Sequence, residues 1–183
     1  MVVFRGLLAN ATDDAERLSM LMEKIDSIVN SVVRQASFDR FEELVHTARL
    51  DGEVSVDACN GFWRQCMVEY YGEEGDVWDS YEGTEFLWSY VRHFHSVPFY
   101  VYAYSFADLV VGSLYGVYRK TPDGFEPKLL DLLRGGSTVG FQAALAPFGL
   151  DPSLPTFWED ALENHLGEML AEAEGLAGKL GLV

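Results

Sequence analysis

Basic residues are scarce. Lysine and arginine total 13 against 29 aspartates and glutamates, a formal net charge of −16. Nucleic-acid binding needs basic side chains that neutralise phosphates, so that class is excluded. An anionic membrane surface is disfavoured on the same ground. The acidity serves solubility first, with attraction of cationic peptides as a second use. Cysteine occurs only at Cys59 and Cys66. Seven residues apart on one helix, their α-carbons would stand about 10 Å apart, beyond the ~7 Å that a disulfide spans. Both are therefore expected as free thiols, in keeping with a reducing compartment. No uninterrupted apolar run reaches the ~18 residues of a membrane span. The N-terminus lacks the charged start, apolar stretch and cleavage site of a signal peptide, and a cytoplasmic location is expected. No convincing strand pair, internal repeat or low-complexity tract is present. The acidic residues between 73 and 85 lack the spacing of a calcium-binding loop and read as a solvated loop.

What is there is helical. The length of 183 residues fits one domain, 1–183, with a sizeable core. Asp13 and Glu16 mark a helix start. Leu18, Leu21, Met22, Ile25, Ile28, Val29, Val32 and Val33 then follow the three-and-four spacing of one buried face. That pattern continues to Asp51-Gly52, long enough that a break is expected near Ala36-Ser37. Ser55 is placed to cap the next helix, which carries Phe62, Trp63 and Met67 and stops at Gly72. A short helix passes through Phe86-Leu87-Trp88. Thr121-Pro122-Asp123-Gly124 is a turn. The helix after it, through Leu129, Leu130, Leu132 and Leu133, is stopped by Gly135-Gly136. Ser137 is expected to open a further helix broken near Pro147. The last helix starts near Thr156, with Phe157, Trp158, Leu162, Leu166, Met169 and Leu170 as its inner face. The expected fold is all-α, a bundle of about six or seven helices.

Aromatic and titratable side chains are densest in His93-Phe94-His95-Ser96-Val97-Pro98-Phe99-Tyr100-Val101-Tyr102-Ala103-Tyr104. Pro98 suits the first turn of a helix, and the run from 98 to 118 is apolar enough to predict a buried central helix fed by a loop with both histidines. Tyr100 and Tyr104, four apart, share one face, and Tyr102 points elsewhere. Histidine and tyrosine at such a junction can hydrogen-bond a developing oxyanion; the competing reading makes these aromatics core, with satisfied hydroxyls. A metal pair of His93 and His95 would lack an obvious third ligand. Gly135 and Gly136 suit a close backbone approach by substrate, or equally a helix C-cap.

The central stretch resembles the signature near the C-terminus of the oligoendopeptidase F family, zinc peptidases related to thimet oligopeptidase. Val33-Arg34-Gln35-Ala36-Ser37-Phe38 with Phe41-Glu42, Tyr70-Tyr71-Gly72, Leu132-Leu133-Arg134-Gly135-Gly136-Ser137 and Phe148-Gly149-Leu150-Asp151-Pro152 resemble further segments of that family, in order along nearly the whole chain. The resemblance implies the C-terminal part of a zincin-type catalytic domain that cleaves short peptides. It implies His93 as a substrate-loop histidine and Tyr102 as an oxyanion donor, both in catalytic roles. His95, Tyr100, Tyr104, Gly135 and Gly136 follow as substrate-binding residues. The family's zinc motif, H-E-x-x-H with a later glutamate, is missing. The nearest look-alike, Asn164-His165-Leu166-Gly167-Glu168, has one histidine and the wrong order. Family zinc is therefore expected in the complete enzyme and not on this chain, whose residues 2–8 resemble the segment just after the third ligand. A homodimer, or an upstream zinc-bearing segment, is expected to cover an apolar face left open. The alternative function is a non-catalytic helical remnant that binds peptides or a partner.

Overall fold

The computed structural model describes residues 1–183. Its regular structure is entirely helical and it contains no strand. The α-helices are α1 (Val2–Ala9), α2 (Asp14–Ser31), α3 (Val33–Leu50), α4 (Val56–Tyr71), α5 (Arg92–Ser96), α6 (Tyr102–Lys120), α7 (Phe125–Gly135), α8 (Phe141–Leu145), α9 (Pro155–Leu162) and α10 (Glu168–Lys179). α5 and α8 are five residues each, and one π turn, Glu163–Gly167, joins α9 to α10. Seven longer helices remain: α1 to α4, α6, α7 and the joined α9 and α10. The all-α expectation holds. The chain divides into two compact units, Val29–Phe106 and Met1–Ile28 with Ala107–Val183.

In the unit of residues 29–106, α3 packs on α4 around an aromatic core. Phe38 and Phe41 of α3 are buried with Cys59, Trp63 and Cys66 of α4, joined by Val91 and Val101. Spacings of three and four put each set on one helix face. The Trp63 ring lies 5.5 Å from both Phe38 and Phe41. Burial of one such ring contributes about 2–3 kcal/mol. Both cysteines are buried free thiols. Burial, with the nearby Glu69 carboxylate, pushes the Cys66 thiol up to about 12, so it is a packing residue and not a nucleophile. Ser55 caps α4 as expected, its hydroxyl oxygen accepting the Ala58 N–H at 3.2 Å. Gly72 ends α4 at φ +86, where an added Cβ would meet Asp76 Oδ2 at 2.7 Å.

The helix break expected near Ala36-Ser37 falls instead at Val32, between α2 and α3. The Ser105 hydroxyl donates to the Val32 carbonyl at 2.8 Å, satisfying an oxygen at the interruption. Ser37 stays helical, its hydroxyl returning to the Arg34 carbonyl. The acidic segment is more ordered than a simple solvated loop. The buried Tyr81 donates its hydroxyl to the Gly72 carbonyl at 2.9 Å, and its N–H is accepted by Glu74, which also pairs with Arg64.

In the other unit, Leu114, Leu145, Phe148 and Phe157 form a second core. Asp13 Oδ1 accepts the Ala15 and Glu16 N–H groups, and the Glu16 carboxylate returns to the Thr12 N–H. These reciprocal bonds start α2 where the sequence placed it. Helix α8 opens at Phe141 and not at Ser137, because Val139 and Gly140 are extended. The inner face expected for the last helix is only partly realised: Phe157, Leu166 and Met169 are buried, while Leu162 and Leu170 are 40% and 41% exposed. A π turn holds more residues than an α turn, which rotates Leu170, beyond it, off the face extrapolated from Phe157; Leu162 ends α9 before the turn. Within that turn His165 is fully buried, its Nε2 3.2 Å from Asp108 Oδ1.

Candidate peptide-binding site

Two anchors hold the stretch from His93 to Tyr104. Phe94 packs in the α3/α4 core, its ring centroid 4.9 Å from Phe41 and 5.5 Å from Phe38. Val101 is completely buried in the same core. Between them Pro98, Phe99 and Tyr100 form the turn that precedes α6. Residues beside a buried anchor in sequence are free to face solvent; Tyr100 and Tyr104 are exposed and His93 is half-buried.

These three make one cluster. His93 Nε2 and Tyr104 Oη are hydrogen-bonded at 2.9 Å. The Tyr100 ring lies parallel to the His93 ring, 8° between planes and 6.3 Å between centroids. Tyr104 stands edge-on to both, at 5.5 Å from each. Edge-on and offset arrangements suit aromatic quadrupoles. Tyr100 and Tyr104 are 51% and 39% exposed. The cluster thus offers a ring face, a phenol and an imidazole to solvent in one place.

Several expectations about this stretch need correction. α6 starts at Tyr102, so Pro98 and Tyr100 precede it. Phe99 has φ +62, a left-handed conformation outside the helical region. The histidines lie on the short helix α5 and not on a loop. Of the nineteen residues of α6 only Leu109, Gly112 and Leu114 are buried, so it is not an all-round buried helix. Tyr102, Tyr104 and Tyr118 on it are exposed.

The other named residues sit elsewhere. Tyr102 opens α6 at 53% exposure and is outside the His93 cluster. His95 donates from Nε2 to the Ser89 carbonyl at 3.0 Å. Gly135 and Gly136 belong to the other unit. There Gly136 caps α7 at φ +50, the Thr138 hydroxyl donates to the Gly135 carbonyl at 2.6 Å, and Gly135 lines a cavity of about 220 Å³ with Lys128, Leu132 and Val139.

A residue absent from the candidate set is built into the site. Glu42 of α3 is 97% buried, with relative exposure of 3%. Its Oε1 accepts the Phe99 N–H at 2.8 Å, and its Oε2 is buried without a hydrogen-bond partner. Burial raises its carboxyl above the ordinary range, against the downward pull of the Phe99 N–H and of His46 and His93. The sequence held a signal: Glu42 stands four residues after Phe38, on the stripe that otherwise feeds the core.

The residues present do not fit a zinc site. His93, His95 and His165 are each engaged as above, and no group of three histidine, cysteine or carboxylate side chains could hold a metal ion.

The chain belongs to peptidase family M3, whose model matches residues 2–164. It is 30% identical over 176 residues to a plasmid-encoded oligoendopeptidase F of Lactococcus lactis subsp. cremoris, covering 92% of this chain and 28% of the relative. It is 29% identical over 167 residues to oligopeptidase PepF of Bacillus subtilis, covering 89% of this chain and 24% of that protein. A group B oligopeptidase PepB of Streptococcus agalactiae matches at 26% identity over 97% of this chain and 29% of its own length. The chain therefore spans 24% to 29% of the length of these relatives. No solved structure matches. A peptidase-related function follows from the family.

Proposed function

We propose that this chain is the C-terminal portion of an oligopeptide-cleaving zinc metalloendopeptidase, a single domain supplying substrate-binding and oxyanion-stabilising groups but not the zinc motif. The observation that carries this reading is the exposed His93–Tyr104 hydrogen bond with Tyr100 stacked beside it. Where His93 Nε2–H donates to Tyr104 Oη, the phenol O–H stays free to donate to a peptide carbonyl, and a donor fixed in advance acts most strongly on the charge that develops as the carbonyl is attacked. Tyr100 adds a flat apolar surface for a peptide side chain. Zinc, bound by residues outside this chain, would polarise the carbonyl and activate water.

Within this reading His93 and Tyr102 keep the oxyanion roles that the resemblance implies. His95, Tyr100, Tyr104, Gly135 and Gly136 keep substrate-binding roles. The partner is an upstream zinc-bearing segment, with a second copy of the chain as the other candidate. Val2, Val3 and Leu7 of α1 support a partner, each more than half exposed, since apolar patches mark interaction surfaces. A cytoplasmic location accompanies the proposal.

The test is peptide binding followed by NMR of the histidine and tyrosine rings, with a quenched fluorescent heptapeptide as probe. His93→Ala and Tyr104→Phe are each expected to weaken binding about tenfold, the scale of one charge-free donor in a partly dry site. Ring signals of His93, Tyr100 and Tyr104 that stay unmoved at saturating peptide would remove the site assignment. In an assembled active enzyme, Tyr102→Phe is expected to lower kcat by roughly a hundredfold; an unchanged kcat would end that role.

A further inference from the structure

We infer that Glu42 is a positioning residue for the His93–Tyr100–Tyr104 cluster: its buried carboxyl oxygen holds the Phe99 turn in a left-handed conformation and so fixes α5 against the start of α6. This inference rests on the proposed function for the cluster's use, though not for its geometry.

The turn has an intrinsic difficulty. Phe99 sits at φ +62, the one non-glycine residue of the chain with positive φ. For an L-residue with a bulky side chain that conformation is unfavourable. Something must hold it. Phe99 is 55% exposed, so core packing does not. The specific contact is its N–H, which points to Glu42 Oε1 at 2.8 Å. The acceptor is an oxygen of a buried carboxyl group, and a hydrogen bond away from water is electrostatically stronger than one in water. The Phe99 ring also lies 4.3 Å from the His46 ring, one helical turn along α3 from Glu42. Both contacts reach from α3 to the same residue of the turn.

The turn controls the cluster because of where the anchors fall. His93 is beside Phe94, which is packed on Phe38 and Phe41. Tyr104 lies one helical turn after Val101, which is buried in the same core. The segment between these anchors carries Tyr100, the residue immediately after Phe99. A change from left-handed to ordinary φ at Phe99 redirects the chain at Tyr100 and removes its ring from His93. Glu42 also carries a cost consistent with a functional use. Its second oxygen is buried without a partner, which general stability would not select. Replacing such a group by an apolar one of similar size is often neutral or stabilising.

That cost supplies a test able to separate positioning from scaffolding. Three variants of the 183-residue chain are compared by thermal unfolding, by hydrogen exchange at the Phe99 amide, by Overhauser contacts among the His93, Tyr100 and Tyr104 rings, and by heptapeptide binding. Glu42→Gln keeps an oxygen acceptor and should keep the ring contacts. Glu42→Leu keeps the volume and loses the acceptor. It should stay folded with an unchanged or higher Tm, exchange the Phe99 amide at least about tenfold faster, and lose the ring contacts, the tenfold following from loss of one buried hydrogen bond. Glu42→Leu with Phe99→Gly should restore the contact between the His93 and Tyr100 rings, because glycine adopts positive φ without help.

Glu42→Leu with intact ring contacts and a protected Phe99 amide would overturn the inference. So would a Glu42→Leu chain that loses Tm and ring contacts together and is not rescued by glycine at 99, since that is scaffolding. If ring contacts follow the predicted pattern while the heptapeptide binds all variants equally, Glu42 positions the cluster and the cluster is not the peptide site.

Discussion

Glu172 of α10 receives Arg5 of α1 at 2.6 Å and Arg17 of α2 at 3.1 Å. Burial raises its carboxyl, but the two guanidinium groups outweigh burial and the net direction is downward. A carboxyl lowered by folding adds stability above its unfolded value, and that stability is lost as pH falls through the folded value. Glu172→Gln is therefore expected to cost about 1 kcal/mol at neutral pH, shrinking towards zero in acid, as read by urea unfolding across a pH series. A cost that does not change with pH would mean packing and not charge. Glu42 has the opposite sign. Its carboxyl is raised by burial, so its contribution is full below the ordinary carboxylate range and is lost as pH rises through the raised value. Glu42→Gln, which cannot ionise, should gain on the parent chain as pH rises through that window. Parallel stability curves for parent and variant would contradict the buried ionisation.

Much of the element scale was legible because capping chemistry is local. Asp13 with Glu16, Ser55 and Gly72 bound their helices as the sequence predicts. Irregular turns were not legible. The left-handed Phe99, the break at Val32 and the π turn at 163–167 each depend on a partner distant in sequence: Glu42, Ser105 and, for His165 in the π turn, Asp108. The spacing of Tyr100 and Tyr104 correctly brought the two rings together, although a turn and not a helix does it. Tyr102 and His95 were legible as positions but not as members of the cluster. The π turn yields its own prediction. A Cβ on Gly112 of α6 would lie 2.8 Å from the Cβ of the buried His165. Gly112→Ala is expected to cost about 1–3 kcal/mol through overpacking, and each kcal/mol should lower Tm by roughly 2–4 °C in a chain of this size. An unchanged melt would mean that the π turn yields easily.

At the scale of the whole molecule, the chain is acidic and all-helical, and no helix is long and apolar enough to cross a membrane. Family membership extends over residues 2–164, while the relatives are more than three times as long as the part they share with it. In the proposed reading the histidine–tyrosine cluster recognises a carbonyl and the groups that activate water lie on another segment. The division of labour proposed here is thus between this chain and a zinc-bearing segment. It is tested most directly by titrating zinc into metal-free chain while following cleavage of the quenched fluorescent heptapeptide, first alone and then with the zinc-motif segment of a family relative added in trans. A catalytic zinc site takes three protein ligands and an open position for water. The expected result is no stoichiometric zinc binding and no cleavage by the chain alone, with cleavage appearing when the segment is added. One-to-one zinc binding with cleavage by the lone chain would contradict it.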